Sequence, residues 1–208
     1  MTVIKLHNLL TLLLMESEKP IVYVEPSLNR PPIIAIMGTR NWGDVLTDVN
    51  IKPKRWPVGL KEGGLVHGGF ADNALKLLRN NELRTFVDTY TDLIITGHSM
   101  GGAIGILMAS QLTEDNKHVK GIYTFGAPRM ASDAFLKFYS KQGRGARTWR
   151  YATKGDPISN YTPLYKHIGN EIKLEVDKKN FMENHDLNTY TSAISEMPTN
   201  IYDWTIWP

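Results

Sequence analysis

The 208-residue sequence contains no cysteine, which removes disulfides, thiolate zinc sites and a thiol nucleophile together. It also lacks a charge excess of one sign. Its 24 Lys and Arg are interspersed with 21 Asp and Glu for a formal net charge of +3, so no basic stripe marks a nucleic-acid partner. Long apolar runs are missing as well. The stretch Leu9 to Met15 is too short to be a transmembrane segment. Glu16-Ser17-Glu18 follows it instead of a small-residue cleavage site, so it reads as a short helix lying on the domain rather than a signal peptide. These two absences, of cysteine and of a leader pattern, favour a cytoplasmic protein. No repeat, linker or low-complexity segment interrupts the chain, and one domain over residues 1–208 is the simplest organisation.

What is present is a rhythm of short β-branched runs and longer helical stretches. Ile21 to Val24 and Ile33 to Ile36 read as strands set off by prolines. Residues 41–66 are rich in Gly, Pro, Trp and Lys and read as irregular. Apolar spacing predicts one helix over about 71–90, a buried strand at Leu93 to Thr96 and an apolar helix from Gly101 to Leu112. Further strands are expected near 119–124, 147–152 and 171–176, with helices at about 131–141 and 184–194. Strands alternating with helices imply a mainly parallel sheet covered on both faces.

The chemical signal is Gly97-His98-Ser99-Met100-Gly101. Chance supplies such a G-x-S-x-G in roughly one chain in fifteen of this length, so context decides. This copy stands where a buried strand stops and an apolar helix starts, the setting of a nucleophile elbow. The turn demands backbone approaches that only glycine tolerates and lifts the Ser99 hydroxyl to the carboxyl edge of the sheet, where open α/β sheets bind ligands.

A serine hydroxyl needs a base to take its proton and a carboxylate to orient that base. In chain order the acid and then the histidine follow the elbow, and only His118, His167 and His185 lie after Ser99. His118 sits in the polar stretch from Glu114 to Lys117 and reads as solvated, which leaves His167 and His185. Asp156 directly follows a predicted strand and so falls at the same sheet edge as Ser99; Asp133, Asp177 and Asp186 compete less well, with Asp133 reading as a helix cap and Asp177 preceding a Lys-rich turn. Oxyanion donors are expected from the Met100 N–H and from the loop after the strand at 33–36, where Gly38-Thr39 stands.

Taken together, these motifs resemble the class 3 lipases, the fungal-lipase-like branch of the α/β hydrolases, over about residues 33–195. The elbow with Gly102 is similar to the family's G-H-S-L-G-G, Gly38-Thr39 to its oxyanion R-G-T, and Trp42 and Thr47-Asp48 to the W and D that follow. Val66-His67-Gly68-Gly69-Phe70 resembles V-H-x-G-F, and Thr124 to Arg129 resembles T-F-G-x-P-R. Met37 departs from the pattern by replacing the usual Arg.

The resemblance implies an α/β-hydrolase fold, with a mainly parallel central sheet and helices on both faces. It implies a catalytic triad of Ser99, Asp156 in the D-P-[VIL] position and His185 in the closing H-x-x-x-x-Y, with Thr39 and Met100 as the oxyanion hole. His67, Phe70, Pro128 and Arg129 fall on positions that are scaffold in this family. The expected substrate is an acylglycerol ester or another lipid, met at a lipid–water interface, with no metal, organic cofactor, nucleic acid or protein partner. Phospholipases and feruloyl-type esterases use the same triad, while a silent binding relative would be expected to have lost a member of it. Trp42, Val45, Leu46, Trp56, Val58 and Leu60 are candidates for lining an acyl pocket, for a rudimentary lid or for ordinary core and surface packing, and the aromatic tail Ile201 to Pro208 for packing or for docking at lipid.

Overall fold

Ile33-Ile34-Ala35-Ile36 is apolar at every position, and all four side chains are buried. A strand with both faces covered needs that pattern. In the computed structural model, which describes residues 22–26, 30–38, 52–115, 117–176 and 178–197, it is strand β2. β1 (Val22–Glu25) pairs with it antiparallel. Next come the hairpin β3 (Pro53–Trp56) and β4 (Gly64–His67), helices α1 (Gly68–Leu78) and α2 (Asn81–Thr89), and β5 (Asp92–His98). Helix α3 (Met100–Glu114), β6 (His118–Phe125), α4 (Asp133–Lys141), β7 (Thr148–Thr153), β8 (Asn170–Leu174) and α5 (Leu187–Ser195) complete the series.

The main sheet runs β1-β2-β5-β6-β7-β8, parallel throughout except at β1. Side-chain alternation divides the core in two. Ile34 and Ile36 point to one face, with Ile95, Ile104 and Leu107 of α3 and Phe135 and Tyr139 of α4. Ile33 and Ala35 point to the other, with Tyr123, Phe125 and Tyr151 and with Tyr190 and Ile194 of α5. Burial of one such aliphatic side chain contributes about 1.5–3 kcal/mol. Helix α3 is apolar on every side, as its position in the middle of the larger cluster requires.

Two expectations need correction. The stretch 41–66 is not irregular within its described part, because 53–56 and 64–67 pair as a hairpin. Lys54 and Arg55 leave only Trp56 of β3 fully buried, so no alternating pattern announces the strand. The helix expected over 71–90 is two helices. The side chain of Asn80 accepts the Leu83 N–H at 2.9 Å and starts α2 anew. Trp56 is a core residue, with its indole N–H on the Leu107 carbonyl at 3.1 Å, and is therefore no part of an acyl pocket. The helix expected at Leu9 to Met15, the tail from Ile201, and Trp42, Val45 and Leu46 lie outside the described residues.

Candidate active site

Parallel pairing brings the carboxyl ends of β5, β6 and β7 to one edge, with His98 beside Phe125 and Phe125 beside Tyr151. Ser99 follows β5, Gly126 follows β6 and Asp156 lies three residues beyond β7. Ser99 sits at φ 59°, ψ −130°, a strained conformation for a residue with a Cβ. It is held there by its N–H on the Phe125 carbonyl at 2.7 Å and by its own carbonyl accepting the Gly102 N–H at 2.9 Å. The glycines around it are required by space. A Cβ on Gly97 would stand 2.5 Å from the Gly101 carbonyl, and one on Gly101 would stand 2.1 Å from the Ile36 oxygen. The Ser99 side chain is fully buried, and its hydroxyl has no hydrogen-bond partner among the described residues.

His185 closes a short 3₁₀ turn, Phe181–His185, just before α5. Its Nδ1 lies 2.9 Å from both carboxylate oxygens of Asp156. A carboxylate only accepts, so Nδ1 carries a proton, and the tautomer this bond selects has its lone pair on Nε2. That is the tautomer a general base needs. Asp156 and His185 are each about 1% exposed. Burial pushes the Asp156 carboxyl up, but the His185 hydrogen bond and charge, the Tyr190 hydroxyl and the Ile158 N–H outweigh it and hold the acid below its ordinary value.

The remaining candidates take other places. His167 lies apart from the Asp156 carboxylate, in a cavity on β7 and β8. His118 opens β6 with an exposed ring near Asp92. Asp133 begins α4, but the cap is Ser132, which accepts the Phe135 N–H. Asp186 caps α5 by accepting the Asn188 N–H at 2.8 Å. Asp177 lies outside the described residues, and so does Thr39. The pairing of Ile36 with Gly97 sets the start of that loop, Met37-Gly38, beside the elbow. Met100 opens α3, where backbone N–H groups have no intrahelical acceptor.

Three neighbours were not assigned to the site from sequence. The Tyr190 hydroxyl donates to Asp156 Oδ2 at 2.5 Å and accepts the Thr153 N–H at 3.2 Å. Its signal was the final position of H-x-x-x-x-Y. Beside Ser99, His98 stacks on the His185 ring at 4.6 Å and donates from Nε2 to the His185 carbonyl at 2.9 Å. Burial and then the charge of His185 lower its pKa to about 3, so it is neutral. Gly126, at φ 59°, lets the pair approach the backbone: a Cβ there would lie 2.7 Å from Asp156 Oδ2 and 2.9 Å from the His185 ring. His67 and Phe70 stack on one another in the core, as scaffold.

Elbow, sheet edge and flanking helices define an α/β-hydrolase fold. Residues 33–166 match the family described as lipase (class 3), and the chain belongs to that family. It is 28% identical over 151 residues to the secreted mono- and diacylglycerol lipase 1 of Fusarium solani, covering 69% of this chain and 44% of that protein. It is 25% identical over 130 residues to the phospholipase A1-II 1 of Oryza sativa subsp. indica, covering 55% of this chain and 33% of that protein. Among solved structures, the lipase from Rhizopus microsporus var. chinensis superposes with a TM-score of 0.64 at 24% identity, over 76% of this chain and 57% of that one. The chain thus spans about half the length of the curated relatives it matches. His185 and Tyr190 lie beyond the family match.

Proposed function

We propose that this protein hydrolyses carboxylic esters of acylglycerols through an acyl-enzyme. Ser99 Oγ attacks the ester carbonyl while His185 Nε2 accepts its proton. Asp156 orients the imidazole and stabilises its cation. The backbone N–H groups of Met100 and Thr39 receive the oxyanion. Collapse of the tetrahedral intermediate expels the alcohol, which takes the proton from His185. Water then gives a proton to His185 and attacks the acyl-enzyme, and the second collapse releases the carboxylic acid and returns the proton to Ser99.

The observation that carries this reading is the bond from His185 Nδ1 to the buried, ionised Asp156, which leaves Nε2 as the basic nitrogen. An acylglycerol substrate is supported by the mono- and diacylglycerol lipases among the relatives. Purified protein should hydrolyse nitrophenyl esters and an emulsified diacylglycerol, and Ser99→Ala should lower kcat at least about a thousandfold with circular dichroism unchanged. A folded Ser99→Ala protein that keeps most of the wild-type rate excludes the mechanism. Faster hydrolysis of phosphatidylcholine than of diacylglycerol moves the substrate to phospholipids.

A further inference from the structure

A cavity of about 490 Å³ opens on the other side of the turn that carries Asp156. Arg129, Arg150, Ser159 and His167 line it, and none of them enters the reaction above. Two of these side chains are almost wholly buried, with Arg150 and Ser159 each 5% exposed. Both hold buried polar atoms, Arg150 Nε and Ser159 Oγ, with no hydrogen-bond partner among the described residues, and His167 Nδ1 is in the same condition. Three residues lining one cavity thus each carry a buried polar atom without a protein partner among the described residues, and such an atom forgoes about 1–3 kcal/mol of solvation.

The charge balance indicates which ligand. Lys154 and Lys173 join the two arginines in the described lining, against the carboxylates of Glu171 and Glu175. Glu171 engages Arg150 through one terminal nitrogen, Nη2, at 2.9 Å. Arg129 gives one terminal nitrogen to Asn160 at 3.2 Å. Each guanidinium presents five N–H donors in a fixed fork, so both retain donors after these bonds. Burial first, then Arg150 and Arg129, lower the His167 pKa to about 4, as expected where positive potential collects.

We propose that this cavity is a binding site for a phosphate group, held by Arg150 and Arg129 with Ser159 and His167 donating to its oxygens. Guanidinium pairs match tetrahedral oxyanions bidentately, and a serine hydroxyl and an imidazole N–H supply the remaining donors. Ser159 also donates its backbone N–H to Asp156 at 3.2 Å, so a single residue joins the cavity lining to the proposed catalytic acid.

The test follows the His167 imidazole by NMR in histidine-labelled protein, with its signal assigned by its loss in His167→Gln. Inorganic phosphate should shift that signal saturably and raise the His167 pKa from its low value, because a bound dianion favours imidazolium. Arg150→Gln and the less buried Arg129→Gln should each weaken binding about tenfold or more. Response to inorganic phosphate identifies a site for the free anion. Response only to vesicles of phosphatidic acid in phosphatidylcholine, and not to phosphatidylcholine alone, identifies a lipid headgroup site. No saturable response to either probe overturns the proposal, as does unaltered binding in a folded Arg129→Gln protein.

Discussion

Asp156 is buried, yet its carboxyl is held below its ordinary pKa where burial by itself would raise it. His185 Nδ1, Tyr190 Oη and the N–H groups of Ile158 and Ser159 all donate to it. Tyr190→Phe removes the shortest of these bonds with little change in volume. The expected result is a kcat lowered about tenfold, in line with ~1.5 kcal/mol for a hydrogen bond to a charged group. KM should stay constant, and the acid limb of the pH–rate profile should move upward because Asp156 ionises less readily. A purely structural tyrosine would leave that limb in place. Chain order and strand ends singled out Ser99 and Asp156 from sequence, and a closing motif separated His185 from His167. Tyr190, His98 and Gly126 were present in those same motifs, but their roles are contacts between segments far apart in the chain, and spacing along a strand or helix carries no information about such contacts.

Helix α3 and strand β2 meet through a position where no side chain fits. A Cβ on Gly101 would lie 2.1 Å from the Ile36 oxygen, and the rest of α3 is locked between sheet and helices by Ile104, Leu107 and Met108. Gly101→Ala should therefore cost about 3 kcal/mol or more, read as a lower midpoint in urea denaturation. An unchanged midpoint shows that α3 moves freely against the sheet. Strands β2 and β5 and helix α3 were legible because their residues are almost continuously apolar and buried. The β3–β4 hairpin was not, since Pro53-Lys54-Arg55 leaves a single buried side chain in β3 and the apolar Leu65 of β4 faces outward, so neither strand alternates as expected. The break between α1 and α2 depends on one side-chain cap at Asn80, which an apolar periodicity running across it conceals.

Among the described residues, three histidines are kept neutral by their surroundings. Burial lowers the pKa of His67 to about 4; burial and then His185 lower that of His98 to about 3; burial and then the two arginines lower that of His167 to about 4. Unfolded, each titrates near 6.5. Between about pH 6.5 and 4 the unfolded chain therefore binds protons that the folded chain does not, and stability falls as pH falls through that window. Asp156 adds a loss at lower pH, since its depressed pKa contributes stability only while the carboxylate stays ionised. His67 is fully buried on Phe70, with neither ring nitrogen hydrogen-bonded among the described residues. His67→Phe should flatten the decline in urea midpoint between pH 7 and 4.5, and an equally steep decline would contradict this origin.

The family and its fold place the elbow at the edge of a parallel sheet, and the buried pair beside it gives Ser99 its proposed chemistry. The central claim is that Ser99, and no other residue, is an activated nucleophile. Reaction of the folded protein with a fluorophosphonate, followed by mass-spectrometric mapping, tests it most directly. The account predicts one adduct per chain, on the peptide containing Ser99, absent in Ser99→Ala and formed far more slowly in His185→Gln. A folded protein that stays unlabelled, or that labels at another residue, contradicts it.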